Sequence, residues 1–142
     1  MIEMLGVLAM AGVISFGAIT MYRTARVRQQ RFVAEQELRT LAENARIIYA
    51  GRQNYAGISK EFLIKTGALK VERIAGHDFR IQSNDNGRTF SIIFDSLNMS
   101  DCAYFATKPF SWAEAVAVNG FTDRPASFCA EIHPNRVEFI VR

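Results

Sequence analysis

Residues 1–22 read MIEMLGVLAMAGVISFGAITMY, and this run constrains the chain more than any other stretch. It is apolar almost without a break and carries no charge after Glu3. About twenty apolar residues are what a helix needs to cross the hydrocarbon core of a bilayer. A cleaved signal would have basic residues ahead of a shorter apolar core and a small-residue cleavage site behind it. Here residues 20–31 continue the helical pattern instead, so a retained membrane anchor is expected, with an exported domain behind it. Neither proline nor glycine occurs from residue 18 to residue 50. The apolar and amphipathic stretches are therefore predicted to form one helix of about fifty residues, some 75 Å long.

Within that helix Ala34, Leu38, Leu41, Ala45 and Ile48 recur at spacings of four and three, and Ala42 and Tyr49 widen the stripe. Glu35, Glu37, Arg39, Glu43 and Arg46 take the other faces. Such a stripe has to be covered. Roughly ninety residues remain to cover it, enough for one modest core. The turn-rich segment GRQNYAG, residues 51–57, ends the helix; Ser59 is placed to cap a short helix over residues 60–65, with Gly67 just past its end. Residues 68–76 show no period. Residues 77–82 and 88–95 alternate as strands around the turn sequence SNDNG, where Asn86 and Gly87 suit positive φ. Ser100 is expected to cap a helix through residue 107, residues 112–119 a third strand, and residues 136–142 a last one. The fold class is α+β: a long N-terminal helix, membrane-spanning in its first half, packed against a small antiparallel sheet. The divisions are residues 1–22 (membrane half of the helix), 23–52 (amphipathic half) and 53–142 (globular head).

The net charge of +3 is unevenly distributed. Residues 1–31 hold Arg23, Arg26, Arg28 and Arg31 against Glu3, whereas the rest of the chain holds 13 basic and 13 acidic side chains. A nucleic-acid-binding domain would carry its basic footprint on the folded surface. The neutral head gives no ground for that partner. Cys102 and Cys129 are the only cysteines, and in a small exported domain such a pair is most simply a disulfide, with two buried free thiols as the alternative. Nothing else points to catalysis, a metal or a cofactor. His77 and His133 are isolated, no CxxC or HExxH spacing is present, and no glycine cluster joins a strand to a helix start. The nine aromatic residues of the head from Phe90 to Phe139 are read as core.

Glu3 is the exception in the apolar run. A carboxylate deep in a membrane costs on the order of 2.5 to 3.5 kcal/mol, less at the interface. It is either a headgroup-level residue, favoured there by the helix dipole, or a group with a partner. The run Ile2, Glu3, Met4, Leu5, Gly6, Val7, Leu8, Ala9, then Gly12, Val13 and Ile14, leading into an unbroken amphipathic helix, resembles the N-terminus of type IV pilins. In the head, the Tyr-x-Gly turn of Tyr55, Ala56 and Gly57, a cysteine-bearing helix after a central hairpin, and a second cysteine before the last strand are similar to type IVb pilins.

The resemblance implies a non-enzymatic structural subunit of a pilus. Its partners would be other copies of itself and other pilins, a prepilin peptidase, an inner-membrane assembly platform and, before assembly, the inner membrane. The head would lie in the periplasm and then in an extracellular filament. Glu3 would neutralise the amino terminus of an adjacent subunit during docking. Because the matching glutamate is fifth in mature pilins and third here, the sequence would begin two residues inside the mature subunit. A pseudopilin of a secretion system, or a membrane-tethered periplasmic binding module that never polymerises, are the alternatives. The arginines after the apolar run would by the positive-inside rule favour a cytoplasmic head. The cysteine pair and the basic leader of the family weigh on the side of export.

Overall fold

The computed structural model of the chain describes residues 2–74, 76–131 and 134–142, and the side chains of these apart from residues 2–17 and Thr20. The chain forms two compact units, residues 1–36 and residues 37–142. Its architecture is α+β, with a long N-terminal helix and antiparallel sheets.

Helix α1, Ile2–Ile48, is a single run of 47 residues. In the first unit every described side chain from residue 21 to residue 30 is exposed. Among the described residues no helix is long and apolar enough to cross a membrane; the apolar stretch on which that expectation rests lies almost wholly outside the described side chains.

In the second unit α1 behaves as its periodicity predicts. Leu38, Leu41, Ala42 and Ala45 are fully buried, and Tyr49 closes the stripe. The helix stops at Ile48, earlier than residue 52, because the backbone tightens into turns, Arg52 N–H donating to the Tyr49 carbonyl at 3.0 Å. The Arg52 guanidinium then lies 5.1 Å from the centre of the Tyr49 ring. Helix α2, Lys60–Lys65, has the expected ends: the Ser59 hydroxyl accepts from Phe62 N–H at 3.1 Å, and Gly67 takes φ +80°. Capping satisfies backbone donors that a six-residue helix has no internal partners for.

Strands β1, Arg73–Ile74, and β2, His77–Asp78, form a two-stranded antiparallel hairpin. This hairpin was not expected from a segment without period. Strands β3, Arg80–Asn84; β4, Thr89–Leu97; β5, Ala115–Val118; and β6, Asn135–Val141, form an antiparallel sheet in the order β3-β4-β6-β5. The strand expected over residues 77–82 is thus interrupted at Phe79, and the long hairpin starts at Arg80. Asp85, Asn86 and Gly87 all take positive φ in its turn. Gly87 is needed there for a second reason: a Cβ at this position would lie 2.8 Å from Cβ of Asn54. The carbonyl of Gly87 accepts from Tyr55 N–H at 2.7 Å, joining the segment after α1 to the hairpin.

Central strand β4 is buried on both faces from Phe90 to Phe94, since successive side chains point to opposite sides. It pairs with β6 in the register Phe90↔Val141, Ile92↔Phe139 and Phe94↔Val137, then bulges between Phe94 and Leu97. Phe139 is the hub of the aromatic core, its ring 5.3 to 6.1 Å from those of Phe94, Phe105, Phe110 and Trp112. Helix α3, Met99–Thr107, is capped by Asn98, whose Oδ1 accepts from Asp101 N–H at 2.8 Å, and not by Ser100. The third strand is shorter than expected because residues 111–112 turn before it.

Candidate functional site

Arg46 joins α1 to the C-terminal edge of the head. Its Nε donates to the Arg142 carbonyl at 2.9 Å and its Nη2 to the Trp112 carbonyl at 3.0 Å. A helix arginine reads in sequence as a solvated charge. Here it satisfies backbone acceptors at the end of β6 and before β5, and so fixes the helix against the sheet.

Cys102 and Cys129 are joined in a disulfide, with Cα atoms 5.9 Å apart. Cys102 is buried on α3, and Cys129 follows a short 3-10 turn, Pro125–Phe128. The chain just after Cys129 is also pinned by Asn135, a fully buried polar residue. Its Nδ2 donates to the Leu97 carbonyl at 3.2 Å and the Ala130 carbonyl at 2.9 Å, while its Oδ1 accepts from Ala130 N–H at 2.7 Å. One side chain therefore links the bulge of β4, the cysteine loop and the start of β6. On the surface of that loop Phe121 and Phe128 stack face to face with centroids 4.0 Å apart.

A cleft of about 320 Å³ opens between the β1–β2 hairpin and the bulge of β4, lined by Arg73, His77, Asp78, Arg80 and Asp95 among others. Its charges are mostly committed to one another. Arg80 makes a two-pronged contact with Asp95, at 2.8 and 3.2 Å, which raises the already high pKa of the guanidinium. Lys60 reaches Asp78 at 2.9 Å and lies 4.3 Å over the Phe79 ring. That hydrogen bond and charge, with Phe79 N–H, hold the Asp78 carboxyl below the usual carboxylate range. A carboxylate so held is ionised and engaged, which suits an anchor for the hairpin rather than a proton donor. His77 Nε2 lies 3.1 Å from Asp101 Oδ2, linking β2 to α3.

Of the sequence-derived site residues, Cys102 and Cys129 are brought together. The Glu3 side chain lies outside the described residues, and so does His133. Among the described residues no three of His, Cys, Asp and Glu cluster as a metal site. Sequence reasoning missed Arg46, Asn135 and the His77–Asp101 pair. Each is a polar residue whose burial or pairing arises from distant parts of the chain, so no local pattern marks it. No protein-family model matches the sequence, and no curated protein matches it at a significant level.

Proposed function

We propose that this chain is the structural subunit of a type IVb-like pilus, a filament that polymerises through its N-terminal helix. One observation carries the reading: an unbroken 47-residue helix begins in an apolar run whose one charge is Glu3, and its last turns are built into the core of a disulfide-closed antiparallel head. In this reading the apolar half of α1 spans the inner membrane, with the head in the periplasm, until assembly extracts it into a bundle of like helices. The partners are other copies of the chain, with a prepilin peptidase and an assembly platform by resemblance. Glu3 pairs with the amino terminus of a neighbour, and because an unpaired buried charge costs several kcal/mol, that pairing selects register.

The test is the Glu3→Gln variant, with fibres sheared from cells and membrane-held subunit both quantified. Loss of fibres with normal membrane levels and an intact Cys102–Cys129 bridge is the expected result. Normal fibre yield, or wild-type subunit found only in membranes with no fibre of any length, would overturn the reading. Fibres confined to the envelope would place the chain among pseudopilins.

A further inference from the structure

Two asparagines precede a glycine, Asn86 in the turn between β3 and β4 and Asn119 in the turn after β5. Both take positive φ, 55° and 51°, and the glycines after them take 88° and 90°. Such turns ask for this pair of residues, which adopt left-handed backbone at least cost. The same pair is chemically labile, because a glycine nitrogen has no side chain beside it to hinder attack on the preceding amide carbon. The two amides are held very differently. Asn119 Nδ2 donates to the Phe128 carbonyl at 2.8 Å and to Asn135 Oδ1 at 3.3 Å, and its Oδ1 accepts from Arg136 N–H at 3.0 Å. Its turn is also closed by reciprocal backbone bonds between Val118 and Phe121, both 2.9 Å. Asn86 is exposed, and among the described residues its side chain has no hydrogen-bond partner. In either turn the reacting atoms meet only after the backbone leaves the left-handed region, which is a local opening. At Asn119 that opening also breaks three side-chain hydrogen bonds; at Asn86 it breaks none.

We propose that Asn86 is a site of spontaneous succinimide formation and isoaspartate conversion in the folded chain, and that Asn119 is protected from the same reaction. The Gly87 nitrogen attacks Cγ of Asn86. The new N–Cγ bond replaces the Cγ–Nδ2 bond, and Nδ2 leaves as ammonia with the proton from the Gly87 nitrogen. Water then opens the ring at either carbonyl. Opening at Cγ leaves an aspartate on the normal main chain; opening at the α-carbonyl leaves an isoaspartate, whose main chain runs through Cβ and Cγ. Either product adds a negative charge beside Asp85, and the isoaspartate also lengthens the turn by one main-chain atom. The turn has no slack for that atom. The Gly87 carbonyl accepts from Tyr55 N–H at 2.7 Å, and a Cβ at position 87 would lie 2.8 Å from Cβ of Asn54. Conversion therefore loosens the joint between residues 54–56 and the β3–β4 hairpin.

The test uses the full chain in detergent, aged at neutral pH and mapped at intervals by peptide mass and isoaspartate-sensitive fragmentation. A mass gain of about one dalton, with isoaspartate present, is expected at Asn86. It should appear at least about tenfold faster than at Asn119, since three hydrogen bonds are worth that factor or more. In the urea-unfolded chain the two sites should react at comparable rates, which assigns the difference to the fold. Asn119 converting as fast as Asn86 in the folded chain overturns the proposal. So does Asn86 remaining intact for as long as the unfolded chain takes to convert both sites. Hydrogen exchange at Tyr55 N–H reads the consequence for the joint: it should accelerate in the isoaspartate form and keep the parent rate in Asn86→Asp, which adds the charge without the extra atom. Unchanged exchange in the isoaspartate form overturns the loosening of the joint.

Discussion

Two stretches of the same helix differ in what becomes of their apolar side chains. From residue 37 to residue 49, Leu38, Leu41, Ala42, Ala45 and Tyr49 are all 4% exposed or less, whereas Ile47 on the outer face is 72% exposed. From residue 19 to residue 33, Ile19, Met21, Tyr22, Val27, Phe32 and Val33 are all at least 43% exposed. Both stretches are helical, and both mix charged with apolar residues. The difference lies in what covers them. The later stretch meets its own head, where Arg46 is bonded to the end of β6 and the Arg39–Glu43 pair closes on itself at 3.2 Å. The earlier one carries Arg23, Arg26 and Arg28 among its apolar residues and leaves them exposed. Large contiguous exposed apolar patches are the kind of surface that partners cover. Periodicity thus tells that a stripe suits a cover, and only the folded head shows which part of it is covered within the molecule.

The sharpest way to break this comparison is to truncate one aromatic ring in each region. Phe139→Ala, measured by urea unfolding of the full chain in detergent, should cost roughly 3 to 5 kcal/mol, because the ring is fully buried among four aromatic neighbours. Phe32→Ala should stay within about 0.5 kcal/mol of the parent, as an exposed substitution does. A large cost at Phe32 in the isolated subunit would mean that its stretch is already covered within one molecule.

A smaller effect sharpens the description of the head. Asn135→Ala leaves the Leu97 and Ala130 carbonyls and Ala130 N–H without the partner they have, at a cost of about 2 to 3 kcal/mol for buried groups left unsatisfied. The same urea titration reads it. Backbone hydrogen exchange should accelerate first in the cysteine loop and at the β4 bulge, the two segments that Asn135 joins. Exchange rising uniformly over the sheet would show that Asn135 supports the core generally and not that junction.

How far the sequence announced these features depended on whether the deciding interaction was local. The ends of α2 were legible, since Ser59 and Gly67 act on backbone within a few residues. So was the turn at Asn86 and Gly87, where φ itself is the requirement. The cysteine pairing was open between bridge and free thiols, and the structure joins them. The cap of α3 was misplaced because Asn98 and Ser100 are both good caps two residues apart. Which one serves depends on β4 running through its bulge to Leu97, a matter of pairing with β6. The β1–β2 hairpin has two-residue strands, too short to alternate. Its anchors, Lys60 to Asp78 and His77 to Asp101, come from α2 and α3. Of the candidate site, the apolar run and Glu3 were visible at once, whereas Arg46 and Asn135 needed the folded head to show what they bond.

The smallest effect concerns Glu37, where the two regions meet in sequence. Burial without a described partner raises its folded-state pKa. The folded state then holds a proton more tightly than the unfolded one, so stability falls as pH rises through the window above the ordinary carboxylate value. Below that window the carboxyl is neutral in both states and contributes nothing. Glu37→Gln should therefore raise the stability of the isolated subunit at pH 7, on the order of a few tenths of a kcal/mol at so partly exposed a site. It should also flatten the loss of stability as pH rises above the ordinary carboxylate value. A Glu37→Gln subunit less stable than the parent at neutral pH would instead show that the Glu37 charge supports the fold of its own molecule.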